Sequence, residues 1–108
     1  MSTQNLGPLE QEVMGSMWKE KNASVSDVHR CLQKKRKIAY TTVMTIMTRL
    51  TEKGFLTRKM EGKAYVYSPK KTKEQTAKGV VKKIVNTLVD QYGHEAVTAF
   101  TDELKKRR

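Results

Sequence analysis

The chain is poor in everything that holds structure covalently or through metal. A single cysteine, Cys31, among 108 residues excludes an internal disulfide. His29 and His94 lie far apart, and His29 and Cys31, two positions apart, do not share a helix face well. No zinc-ligand spacing results, so no metal site is expected and Cys31 is read as a small core residue. No run approaches the ~18 apolar residues of a membrane span. The opening MSTQNLGPLE lacks both a basic start and an apolar segment, so no secretory signal is expected and the chain reads as cytoplasmic. Phosphate-binding glycine loops, nucleophile elbows and suggestively paired carboxylates are all missing. That argues against an enzyme, a cofactor or a small-molecule substrate. Internal repeats and low-complexity linkers are also missing.

Acidic residues are scarce as well. There are 11 Asp and Glu against 22 Lys and Arg, a net charge of +11, with a sequence pI near 9.9. Such an excess points to a polyanionic partner, most often nucleic acid. It is not a basic tail on a neutral body, because residues 1–69 carry 12 basic and 6 acidic residues and residues 70–108 carry 10 and 5. Hydrophobic residues make up 37%. A core is possible but thin, and a chain of this size often gains stability from a partner.

Periodicity then places the elements. In LGPLEQEVMGSMWKEK, Pro8 suits a first helical turn, and Leu9, Val13 and Met17 recur every four residues beside Met14 and Trp18. In NASVSDVHRCLQKKRK, Ser24 and Asp27 form a capping-box-like start, Val25, Val28, Cys31 and Leu32 mark a buried stripe, and KKRK closes the helix. A third helix is expected over about residues 40–53, with Gly54 just past its end. The period then shortens. FLTRKM and AYVYS, separated by Glu61, Gly62 and Lys63, read as a β-hairpin ended by Pro69. Beyond it, Ala77, Val81, Ile84, Val85 and Leu88 share one helix face, and Val97, Phe100 and Leu104 share another. The fold class is mainly α with a small β-hairpin. Residues 1–69 form a winged helix-turn-helix, and residues 70–108 form a pair of amphipathic helices that packs against another chain.

The third helix is unusual. Between residues 39 and 55 it carries Thr41, Thr42, Thr45, Thr48 and Thr51, although threonine is a mediocre helix former. At ~100° per residue, Val43, Ile46, Met47 and Leu50 fall on one arc, and Thr41, Thr42, Thr45, Thr48, Arg49 and Glu52 on the other. Short hydroxylated side chains let a helix approach a surface closely. A hydroxyl can meet a base edge, and a γ-methyl can meet a thymine methyl. Thr41, Thr42 and Thr45 are therefore candidates for base readout. Thr48, Arg49 and Lys53 are candidates for the phosphate backbone, together with Ser24 at the second helix start and Arg58, Lys59 and Lys63 on the hairpin. Tyr65 and Tyr67 share a strand face and are expected to pack the hairpin onto the helices.

The stretches LGPLEQEVM, AYTTVMTIMTRLTEKGFLTR and GKAYVYSP, in that order over about residues 6–69, resemble the penicillinase-repressor family (BlaI/MecI/CopY) of bacterial winged-helix transcriptional repressors. The resemblance implies a homodimer that binds a palindromic DNA operator and represses transcription, with bases touched from the start of the recognition helix. It also implies that the C-terminal helices form the dimer through Val81, Ile84, Val85, Leu88, Val97, Phe100 and Leu104. Antibiotic-responsive members are cleaved at an Asn-Phe bond, where this chain has Ala99-Phe100. Copper-responsive members carry a C-terminal cysteine motif that this chain lacks. Neither response is therefore implied. The alternative is a non-specific architectural or RNA-binding basic protein, which would have no need of a threonine face.

Overall fold

The apolar stripes of the first three helices each become one wall of a small core. The computed structural model describes residues 6–107. The start of the segment read for a secretory signal, residues 1–5, and the final Arg108 lie outside the described residues. The order is α1 (Pro8–Glu20), α2 (Val25–Gln33), α3 (Tyr40–Glu52), β1 (Leu56–Glu61), β2 (Ala64–Pro69), α4 (Lys73–Tyr92) and α5 (His94–Lys106). The chain divides into two compact units, one ending at Lys73 and the other beginning at Glu74.

In the first unit, Val13, Met14 and Met17 of α1 meet Val25, Val28 and Leu32 of α2, and Val43, Ile46, Met47 and Leu50 of α3. Phe55, Leu56 and Tyr67 of the hairpin region close the core, and Leu6, Leu9, Trp18 and Ile38 pack on its fringe. Each large apolar side chain buried this way contributes on the order of 1.5–3 kcal/mol. Cys31 is only partly buried and stands outside this cluster.

Local chemistry sets the element ends. The Ser24 hydroxyl accepts from the Asp27 N–H at 3.2 Å, and the Asp27 carboxylate accepts from the Ser24 N–H at 3.0 Å. The expected capping box is thus present. The Ser24 N–H, with the Ser24 side chain and Arg30 and against the opposing effect of burial, holds Asp27 below the usual carboxylate range. The helix α2 stops at Gln33, four residues short of the expected end. The Leu32 carbonyl accepts from both Lys35 and Arg36 N–H groups, and the Arg36 guanidinium reaches Glu12 on α1 at 2.7 Å. The basic run therefore makes the turn into α3 instead of a last helical turn. At the end of α3, Phe55 N–H donates to the Leu50 carbonyl and Gly54 N–H to that of Thr51. This is a Schellman closure, and it needs the positive φ of 88° that Gly54 adopts.

The hairpin pairs antiparallel from Leu56↔Pro69 to Glu61↔Ala64, leaving a two-residue turn at Gly62 and Lys63. Glu61 therefore ends β1 instead of joining the turn. An isolated two-stranded ribbon is marginal in water. Here Ala23 and Tyr67 exchange backbone hydrogen bonds of 3.0 and 2.8 Å, which ties β2 to the α1–α2 connection. Trp18 Nε1 donates to the Lys71 carbonyl at 2.9 Å and secures the segment after the hairpin to α1.

The second unit contains α4 and α5, which meet at Gly93 with a φ of 73°. Neither helix has a buried residue. Val81 and Ile84 are each 49% exposed and Leu104 is 51% exposed, so the apolar faces expected from the sequence stay open. Among the described residues, no helix is long and apolar enough to cross a membrane.

One charged contact joins the first and third helices. Lys53 Nζ donates to both Glu10 carboxylate oxygens, at 3.0 and 2.8 Å, and Glu10 also accepts from the Gly7 N–H at 2.9 Å. Burial pushes the Glu10 carboxyl up, but Lys53, Gly7 and Arg49 outweigh it and hold it below its ordinary value of 4.5. A carboxylate lowered on folding adds stability above its unfolded pKa and loses it as pH falls through the folded value. Glu10→Gln is expected to cost roughly 1.5–3 kcal/mol at neutral pH, the scale for hydrogen bonds to charged groups. Urea unfolding across the acid range checks this: the gap to the parent should close below the ordinary carboxylate pKa. A gap independent of pH would refute the assignment.

Candidate nucleic-acid interface

Burial of Val43, Ile46, Met47 and Leu50 fixes which side of α3 faces outward. Thr41, Thr42, Thr45 and Arg49 are exposed on that side, and Thr48 is half-buried. Their hydroxyls are not equivalent. Thr45 Oγ1 donates to the Thr41 carbonyl at 3.0 Å, and Thr48 Oγ1 to the Met44 carbonyl at 2.9 Å. Thr51 Oγ1 donates likewise to Met47 at 2.9 Å. A threonine that gives its proton to its own helix presents only oxygen lone pairs and a methyl group. From Thr45 onward, the threonine surface is thus one of acceptors and methyls.

The start of α3 is held from the side. His29 Nε2 donates to the Ile38 carbonyl at 2.8 Å, and the His29 ring lies edge-on to Tyr40 at 5.7 Å. Sequence reasoning assigns His29 no such role. Its position within α2 carries no local signal, because the bonded carbonyl sits nine residues away. Met44 is a second residue that periodicity leaves unassigned. It falls between the two arcs and is 41% exposed.

The other expected contacts divide. Arg58, Lys59 and Lys63 are exposed on the hairpin. Arg58 stacks its guanidinium over Tyr65 at 4.2 Å and donates to the Tyr67 hydroxyl at 3.3 Å, so its charge is held in place. Of the two tyrosines expected to pack the hairpin down, only Tyr67 does so. Tyr65 is 40% exposed and serves as the plate under Arg58. Lys53 does not stand free, since its ammonium is bonded to Glu10. The Ser24 oxygen accepts within the capping box, and its side chain also bears on the Asp27 carboxyl. Among the described residues, no cluster of three His, Cys, Asp or Glu could hold a metal. The arrangement is a hydroxylated helix face, uncharged from Thr41 to Thr48 and flanked by exposed cations. Such a surface suits a polyanion whose neutral base edges are exposed in a groove.

Comparison with known proteins agrees in kind. A family model described as penicillinase repressor matches residues 6–107. The chain is similar to the transcriptional regulator BlaI of Mycobacterium tuberculosis (strain CDC 1551 / Oshkosh), with 34% identity over 77 residues, covering 70% of this chain and 56% of that protein. It is also similar to the methicillin resistance regulatory protein MecI of Mammaliicoccus sciuri, with 31% identity over 86 residues, covering 76% of this chain and 70% of that protein. Among solved structures it is similar to the Bacillus licheniformis BlaI monomeric form in complex with the blaP half-operator. The TM-score is 0.56 at 30% identity, covering 66% of this chain and 87% of that one. The match thus spans little more than half the length of the mycobacterial relative.

Threonines kept for an outward surface should cost the helix something. Thr45→Ala and Thr48→Ala are each expected to raise the unfolding free energy by roughly 0.3–0.7 kcal/mol, through better helix propensity. Urea unfolding of the two variants measures this. A loss above about 1 kcal/mol, the net worth of a hydrogen bond, would show that the hydroxyls hold the fold instead.

Proposed function

The chain belongs to the penicillinase-repressor family, and on that premise we propose that it is a sequence-specific DNA-binding transcriptional repressor that works as a homodimer on a palindromic operator. The carrying observation is the face of α3, where exposed Thr41, Thr42 and Thr45 lie opposite a fully packed stripe. In this reading α3 enters the major groove and those three threonines meet base edges. Arg49 reaches a phosphate beside them and Ser24, at the start of α2, stands on the backbone side, while Thr48, its proton given to Met44, turns only its methyl and lone pairs outward. Arg58, Lys59 and Lys63 lie along the backbone as a wing. Lys53 acts through Glu10 to set the position of α3, and is not itself a phosphate ligand. Residues 1–69 read DNA, and residues 70–108 supply the contact with a second copy.

The dimer reading draws on the energetics of the second unit. Val81, Ile84, Val97, Phe100 and Leu104 are all exposed in the single chain, and Val85 and Leu88 are half-buried. Val85 and Leu88 line a shallow apolar cleft between α4 and α5 with Val89, Ala96, Val97 and Phe100. A second copy would cover the rest. A two-fold dimer then sets two α3 helices about one DNA turn apart, which is what makes an operator palindromic.

Selection of bound sequences from random duplex DNA tests the reading. A two-fold symmetric motif is expected, bound on the order of 10³-fold or more tighter than random DNA at fixed salt. A motif-free outcome would mean that the charge alone binds, as in an architectural protein. For the dimer, Ile84→Asp should halve the sedimentation mass and weaken operator binding by at least tenfold, since each half-site alone gives up the partner's contacts. An unchanged mass would refute the placement of the interface.

A further inference from the structure

We infer that Met44 is a specificity-determining residue whose thioether end selects a thymine, through its C5-methyl group, in each half of the bound site. The inference rests on the reading of α3 as the helix in the major groove. It adds a residue and a base identity that the threonine pattern does not supply.

Three observations carry it. Met44 is 41% exposed, although methionine on a helix of this domain is otherwise a core residue, as Met14, Met17 and Met47 show at 0%. Its side chain belongs neither to the core cluster nor to the partly buried fringe packed on it. It stands one turn after Tyr40 and one turn before Thr48, so it continues the threonine face along one flank, with Arg49 on the other.

The neighbours decide what such a residue can recognise. Tyr40, one turn earlier, has its ring engaged edge-on with His29 and ends in a hydroxyl, so Met44 is the wholly apolar exposed side chain on that flank. Thr48 and Thr45 have given their protons to the carbonyls of Met44 and Thr41. Around and beyond Met44, at Thr45 and Thr48, the helix thus offers methyl groups and oxygen lone pairs. In the major groove guanine shows two acceptors, cytosine a donor, adenine one of each, and thymine an acceptor and a methyl. A thioether cannot satisfy guanine O6 and N7, and pressing one against them leaves two acceptors dry and unpaired. The thymine methyl is the one apolar feature the groove contains. Met44 therefore favours thymine and discriminates most against guanine.

The test uses the intact chain and the site obtained by selection. Each thymine is replaced singly by deoxyuridine, which lacks only the methyl, and affinity is read by fluorescence anisotropy. One thymine per half-site should cost about three- to fivefold, the effect of removing one buried methyl. Met44→Ala should abolish that sensitivity at that thymine and leave any other intact, while Met44→Leu should keep it. Because Met44 lies outside the core, thermal unfolding of both variants should match the parent. A symmetric motif with no methyl-sensitive thymine, or a sensitivity that survives Met44→Ala, overturns the inference and leaves the repressor reading standing. A motif-free selection overturns both.

Discussion

Everything outward-facing on α3 depends on how Val43, Ile46, Met47 and Leu50 seat in the core. A helix has one free rotation about its axis, and side chains on opposite faces share it. Seating those four residues against α1 and α2 settles the direction of Thr41, Thr45 and Arg49 without any contact made by them. The Schellman closure at Gly54 and the His29–Ile38 bond then fix the two ends. The Lys53–Glu10 pair adds a tether from the end of α3 to the first turn of α1. Of these, apolar seating contributes most. Four buried side chains supply on the order of 6–12 kcal/mol in total. Five threonines in place of alanine cost about 3.5 kcal/mol at most. The core can therefore carry a face chosen for something other than helix stability.

The parts legible in the sequence are those written in local spacing. Helix periodicity, the Ser24–Asp27 box, the glycine after α3 and the change to period two all depend on neighbours within a few residues. Each appears in the structure close to its expected place. The readings that shift depend on partners distant in the chain. Lys53 reads as a phosphate ligand as long as only its sequence neighbours are considered, yet Glu10 claims it from 43 positions away. The end of α2 moves because Arg36 pairs with Glu12 across 24 positions. Tyr65 and Tyr67 share a strand face, but the Ala23–Tyr67 exchange and the core lie over Tyr67 alone. Strand alternation cannot separate two residues of the same parity. Periodicity has no place for Met44, because methionine counts as apolar while its angle lies between the two arcs. Only exposure resolves that conflict.

The hairpin and the second unit raise the same physical problem, and the chain answers it differently in each. A two-stranded ribbon cannot bury enough surface to hold itself. Here it borrows stability from the core through Leu56 and Tyr67, and through one reciprocal backbone pair with Ala23. Its charged tip can then project while its root stays fixed. The second unit has no such support of its own. Two helices with no buried residue expose Val81, Ile84, Phe100 and Leu104 to water. The apolar residues follow a helical period, so their exposure is patterned and not incidental.

The positive charge explains why recognition must sit on a neutral surface. With a net charge of +11, the chain would bind any duplex through counterion release, in a manner blind to sequence. Selectivity has to come from groups that gain little from phosphates and much from base edges. Threonines with their protons bonded to the helix fit that description, because they offer no donor to a phosphate oxygen. A lysine or arginine in their place would add a charge that any phosphate attracts and would turn base preference toward guanine. The division seen here keeps cations on the flanks, at Arg49 and the hairpin, and leaves the centre of α3 to methyls and lone pairs. On the proposed reading, affinity and specificity fall to different side chains, and each can change without the other.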